Sequence, residues 1–185
     1  PDPPVTRFGG KLGLQLHWRP GILREDHRSS TSVVTRLYRR PRGAMLTDVE
    51  STGHLTFLTS DHEFNLNHRV VYLQGDVQFW DERYLTGSFL RTHFRRPFWT
   101  RKAIQLAAGA QWGVGGDSFQ LGIFHDLSVF EDLQLGAEKI QLANGFGPSL
   151  HTLILGIFSL DVYYGVGFSP AGFGQSFVIG FKRVL

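Results

Sequence analysis

The sequence predicts an all-β chain, an antiparallel transmembrane β-barrel of about ten strands, within a range of about 8–12. Three observations carry this. Apolar and small residues alternate with period two in segment after segment. The second face of those segments is dominated by Gly, Gln, Ala and Ser, a set that suits the crowded inside of a narrow barrel rather than a water-exposed sheet. The longest apolar runs, such as Leu153 to Leu160, fall short of the roughly 18 residues that a spanning helix needs, so any membrane span must be made of strands. Composition agrees: 22 glycines, 14% aromatics and a single methionine favour strands and turns. The absence of cysteine excludes a disulfide scaffold and a thiolate metal site. With 185 residues and no Pro/Ser-rich linker, the chain reads as one domain over 1–185. A net charge of +3 comes from basic residues scattered through alternating segments, which does not make a nucleic-acid-binding tract.

The first segment sets the rule. Phe8, Gly10, Leu12, Leu14, Leu16 and Trp18 oppose Arg7, Gly9, Lys11, Gly13, Gln15, His17 and Arg19. The same parity runs through Val71 to Phe79, Ile104 to Val114, Leu160 to Phe168 and Phe177 to Phe181. Candidate strands are 6–19, 31–40, 51–59, 69–80, 84–95, 102–114, 118–126, 133–143, 149–157, 159–168 and 175–184. Single-chain bacterial barrels have even strand counts, so about ten of these are expected to span. Tight turns are expected at Asp81-Glu82 and Gly115-Gly116-Asp117, and longer loops at 20–30 and 60–68. Trp18, Trp80, Tyr84 and Trp112 fall near strand ends, where aromatic girdles sit. By parity, Leu14, Leu73, Leu106 and Val162 face lipid, and Gln15, Gln74, Gln105 and Asp161 face the interior.

The stretch Phe124-His-Asp-Leu-Ser-Val-Phe-Glu-Asp-Leu-Gln-Leu-Gly136, followed by Ala137 to Ala143, resembles the signature loop of the bacterial surface antigen superfamily. These are the C-terminal β-barrels of outer-membrane assembly factors and two-partner transporters, including barrels fused to patatin-type lipases. Their pattern reads roughly Leu-Arg-Gly-Tyr/Phe-Glu, then Gly and a new strand. Leu127, Ser128, Phe130, Glu131 and Gly136 match it or its Leu-Ser-Gly-Tyr-Glu variant, while Ser128 stands in place of the arginine and Val129 in place of the glycine. Leu160 to Pro170 and Ser176 to Leu185 are similar to the superfamily's final hairpin, although Leu185 replaces the usual terminal aromatic. The resemblance covers residues 91–185 and implies an outer-membrane barrel with a structural, narrow-pore or transport role. It also implies a loop held inside the barrel by an arginine. Because Ser128 cannot make that contact, residues 127–136 are expected to form a shallower outer loop between two strands.

Catalytic residues are not assigned. Asp61-His62 and His125-Asp126 are acid–histidine neighbours of the kind that hydrolases use, but adjacent strand residues point to opposite faces. The eight histidines make no same-face pair with further ligands, so no metal and no cofactor are expected. Arg7, Lys11 and Arg19 are candidates for a basic lumen lining that would favour anions. Arg36, Arg39, Arg40, Arg91, Arg95 and Arg96 are candidates for a rim that pairs with lipid phosphates. The expected partners are outer-membrane lipid and lipopolysaccharide, with no nucleic acid and with a homo-oligomer left open. Two rival functions stand beside this reading: a membrane-embedded lipid hydrolase or acyltransferase, and a soluble ligand-binding β-barrel.

Overall fold

A computed structural model describes residues 8–18, 28–39, 45–58, 62–85, 89–92, 98–114, 118–133, 139–154 and 157–183. Alternating sequence becomes long strands: β1 (Phe8–Trp18), β2 (Arg28–Arg39), β3 (Met45–Leu58) and β4 (His62–Gly75) form the first half. Two short strands, β5 (Arg83–Tyr84) and β6 (Trp99–Thr100), lie between β4 and the second half. That half comprises β7 (Lys102–Gly113), β8 (Phe119–Glu131), β9 (Ile140–Ile154), β10 (Phe158–Ser169) and β11 (Gly172–Arg183). The nine long strands make one antiparallel sheet in the order β1-β2-β3-β4-β7-β8-β9-β10-β11, and β5 pairs with β6 alone. Among the described residues β1 pairs only with β2 and β11 only with β10, so the sheet has two open edges.

Parity survives along most of the sheet. Leu12, Leu14, Ile104, Leu106, Ile123, Phe177, Ile179 and Phe181 lie exposed on one face. Gln105, Asp126, Ser128, Ser149 and Ser176 are buried on the other. The two faces have different tasks, so the outer band is bulky and apolar while the inner one is small or polar.

The structure corrects several expectations. In β4 the inner residues are Val71 and Leu73, both almost fully buried, whereas Tyr72 and Gln74 are exposed. Leu73 therefore faces inward and Gln74 outward, because at this end the inner face packs on apolar residues from elsewhere and needs apolar partners of its own. The candidate strand 84–95 is not a spanning strand; it belongs to a 26-residue insertion over 76–101 between β4 and β7. Asp81 closes a 3-10 turn there rather than a hairpin. Residues 62–68, expected in a loop, belong to β4. The candidates 133–143 and 149–157 are largely one strand, β9. Its Gly145-Phe-Gly-Pro run reads as punctuation in sequence, yet the glycines are there for close approach. A Cβ on Gly145 would overlap Thr92 of the insertion, and one on Gly147 would overlap the Tyr164 carbonyl of β10.

The signature-like stretch is also strand. Leu127, Ser128, Phe130 and Glu131 lie in β8, where Leu127 pairs with Leu106 of β7 and Asn144 of β9. They form no outer loop; Ser128 and Phe130 point inward and are buried, and Glu131 on the other face is shielded beside Lys102. Gly136, Asp61 and the 115–117 turn lie outside the described residues.

Candidate functional site: an insertion seated on the inner face

Gly75 ends β4 at φ +101°, a conformation that a glycine adopts without strain, and the chain turns inward. Asp76 N–H donates to the Met45 carbonyl (2.9 Å), and Gln78 N–H donates to the Asp81 carboxylate (2.9 Å), which fixes the 3-10 turn. The β5–β6 ribbon follows, with the Tyr84 and Trp99 rings 5.2 Å apart and Leu85 N–H donating to the Phe98 carbonyl. Leu85, Leu90 and Phe98 then pack on Val71, Leu73, Ala103, Phe130 and Ala143 of the sheet. This is the molecule's apolar core, and it lies between insertion and wall rather than between two sheets. Phe98 and Phe130 are almost fully buried, with ring centroids 5.0 Å apart.

Leu90 and Arg91 reach deepest. Arg91 Nε lies 3.1 and 3.0 Å from the two carboxylate oxygens of Asp126, its Nη2 lies 2.5 Å from Oδ1, and its backbone N–H donates to Oδ2 at 2.7 Å. Asp126 has no solvent exposure, so a charge sits in the interior satisfied by a bidentate guanidinium and a backbone donor. Arg91 Nη2 also donates to the Ala108 carbonyl of β7 (3.2 Å), and its guanidinium lies 4.1 Å from the Phe124 ring centroid and 5.3 Å from that of Tyr163. Ser176 Oγ of β11 donates to the Arg91 carbonyl (2.8 Å). In a flat sheet β7 and β11 are four strand spacings apart, about 19 Å, far beyond one arginine's reach. The sheet must curl around this residue.

A cavity of about 800 Å³ opens beside it, lined by residues of β3, β4 and β7 to β11, with Leu90, Arg91 and Tyr163 among them. One wall carries a chain of hydrogen bonds. Asn65 Nδ2 donates to Glu63 (2.8 Å), Thr56 Oγ donates to Asn65 (2.9 Å) and also contacts His54, and His54 meets Asn67 (2.8 Å). Across from it His151 Nδ1 sits 2.5 Å from Asp161, and Gln111 Nε2 sits 2.9 Å from His151 Nε2. This acid–histidine pair joins β9 to β10 and was not visible as sequence neighbours. Gln111 occupies the nitrogen that a nucleophile would need, so the pair does not form a hydrolytic triad.

A second charged cluster tethers the start of the insertion. Arg83 Nη2 lies 2.7 Å from Asp48 Oδ2, which also accepts from Arg36 Nη1 at 2.9 Å. Glu50 holds Arg69 at 2.9 Å and lies 3.6 Å from Arg36. Arg36 and Arg91, expected on a lipid-phosphate rim, are thus inner-face residues paired with carboxylates. Arg39, at the end of β2, is exposed. Lys11 stands opposite Arg36 in the β1–β2 register, while Arg7, Arg19, Arg40, Arg95 and Arg96 lie outside the described residues. Among the described residues no group of three or more His, Asp or Glu could hold a metal ion.

No family model matches the chain, and no curated protein does. A solved structure does, CdiB from Acinetobacter baumannii, with a TM-score of 0.66 over 94% of this chain. The fold is CdiB-like. Identity is 17%, so the likeness is one of fold, and the match spans 33% of the CdiB chain.

Arg91, expected on a lipid-phosphate rim, and its partner Asp126 are 35 residues apart, and no period in the sequence links them.

Proposed function

We propose that the chain builds part or all of the wall, and the plug, of an outer-membrane β-barrel with a transport-type role, in which the insertion closes a cavity reached from the opposite end. The observation that carries this is the position of Leu90 and Arg91. They line the deep side of an 800 Å³ cavity whose far walls are the ends of β3, β9 and β11 and the starts of β4, β8 and β10. Connections at that end are 19–27, 59–61, 114–118 and 155–157, and the far longer insertion over 76–101 enters from the other. With the insertion taken as an outer loop, the cavity mouth would open on the periplasmic side. The outer band of Leu, Ile and Phe side chains and the CdiB-like fold support membrane insertion.

In planar bilayers the chain is expected to pass little current, and replacing Leu85–Phe98 with a short Gly/Ser linker is expected to raise conductance severalfold. Unchanged conductance, with heat-modifiable gel migration retained, would remove the plug reading. The described cavity wall includes Glu63 and Asp161, whereas the basic lining expected from Arg7, Lys11 and Arg19 rests on side chains outside the described set.

Lipid exposure carries its own prediction. Leu106 lies exposed near the middle of β7, and Leu106→Arg should cost about 2–4 kcal/mol on refolding into bilayers. Gln105→Arg, which parity alone makes the milder change, is expected to be damaging as well. Gln105 is fully buried and donates to Ser128 Oγ at 3.1 Å, leaving no room for a longer side chain. Wild-type stability of Leu106→Arg in bilayers would count against a lipid-facing β7.

A further inference from the structure

On the outward face, at the end where the insertion leaves the sheet, β4, β7, β8 and β9 enclose a groove of about 420 Å³. Its walls are Val70, Ile104, Val129 and Ile140, and its mouth carries Tyr72, Lys102 and Glu131. Leu106 and Leu142, two positions further along β7 and β9, continue the groove into the exposed apolar band. Lys102 stands five positions from Ala107 at the centre of β7, which is about 17 Å along a strand and about 13 Å in height at a tilt near 40°. Half of a hydrocarbon core is about 15 Å, so the mouth falls where lipid tails meet their headgroups.

The two charges at the mouth are unequal. Lys102 Nζ lies 3.7 Å from Glu131 Oε1, too far for a hydrogen bond, and its side chain is 52% exposed against 11% for Glu131. The ammonium therefore keeps its donors for an acceptor outside the protein, while the carboxylate is shielded. Tyr72, which pairs with Lys102 in the β4–β7 register, donates from its hydroxyl to Gln74 Oε1 at 2.8 Å. The amide N–H groups of the exposed Gln74 are then further donors at the same level. Of the other charges at this end, Arg101 is tied to Glu82, Asp132 is buried and Lys139 is exposed. We propose that the groove holds an acyl chain of a phosphate-bearing lipid, whose phosphate sits on Lys102 and Gln74. The proposal rests on the membrane reading of the outer band and is independent of the plug. The apolar walls take the tail, and the donors at the mouth take the phosphate oxygens.

Native mass spectrometry of the full chain, folded in detergent micelles and mixed with dimyristoyl phosphatidate, dimyristoylglycerol or glycerol 3-phosphate, tests this. Phosphatidate should stay bound as a single adduct. The diacylglycerol, which lacks the phosphate, and glycerol 3-phosphate, which lacks the tails, should each be retained severalfold less. Ile104→Trp, which fills the groove, and Lys102→Gln, which removes its cation, should each reduce phosphatidate retention severalfold, whereas Ile179→Trp, at a similarly exposed outward position of β11, should not. Glu131→Gln should increase retention, a gain that loss of structure cannot produce. Heat-modifiable migration reports that each variant is folded. Equal retention of phosphatidate and diacylglycerol, or retention by Ile104→Trp or Lys102→Gln equal to that of the wild type, overturns the proposal. So does a lipid-free dimer that Ile104→Trp dissociates, which gives the groove to a second copy. The membrane reading is checked separately: a chain that does not insert into vesicles made with the same lipid refutes that reading, whereas an inserted chain without the lipid preference refutes the groove alone.

Discussion

Replacing Arg91 with alanine should be the most damaging single change in the molecule. The Arg91 side chain is 18% exposed but its partner Asp126 is fully buried, so the substitution leaves an unpaired interior carboxylate and removes the contacts to Phe124, Tyr163 and the Ala108 carbonyl. Breaking a buried pair from one side costs about 3–5 kcal/mol. The effect is read as a lower urea midpoint for refolding into bilayers and earlier loss of heat-modifiable migration. Asp126→Asn should cost less than Arg91→Ala, because an amide needs no counter-charge. In the double variant Arg91→Ala/Asp126→Asn, part of the loss should return. Strict additivity would mean that the pair is not coupled.

The second large effect lies in the apolar seat. Phe98 comes from the insertion and Phe130 from β8, and both are buried in the cluster with Leu73, Leu85 and Leu90. Phe98→Ala removes a ring that nothing nearby can replace, at a cost of about 3–5 kcal/mol. Because Phe98 belongs to the insertion and not to the sheet, the loss should appear first as faster trypsin cleavage after Arg83 or Arg91, with the strands still protected. Phe130→Ala should weaken insertion and sheet together. A Phe98→Ala chain whose insertion resists protease like wild type would show that the charged anchors alone hold it.

Strands were the legible part of this sequence. Period two is written residue by residue in β1, β7, β10 and β11, and the outward set there is the apolar one. It misled at β4, where Val71 and Leu73 are apolar for the opposite reason: they bury against Leu85 and Leu90 from a distant stretch. A rule that reads bulky as outward cannot see an insertion packed on the inner face. The same blindness affected the arginines. Arg36 and Arg91 belong to runs of basic residues, which suggested headgroups, and their partners Asp48 and Asp126 become neighbours only once the sheet has formed and curled. Ser128 looked like the failed anchor of a loop, whereas it is a small inward residue that fits under Gln105. Candidate-site residues on adjacent strands can be approached from register, but a contact between a strand and an insertion has no period to betray it.

The sheet's order has a directional consequence. Each hairpin step reverses the chain, so after eight steps the ninth strand runs the same way as the first. If β1 and β11 were joined directly, in one molecule or between two upright copies side by side, the seam would be parallel, with slanted and evenly spaced bonds unlike every other pairing in the wall. Under the proposed membrane reading no bare strand edge is tolerated in the bilayer interior, so that reading calls for a pairing partner at each edge. To keep every neighbour antiparallel, whatever bridges them has to contribute strands in odd number.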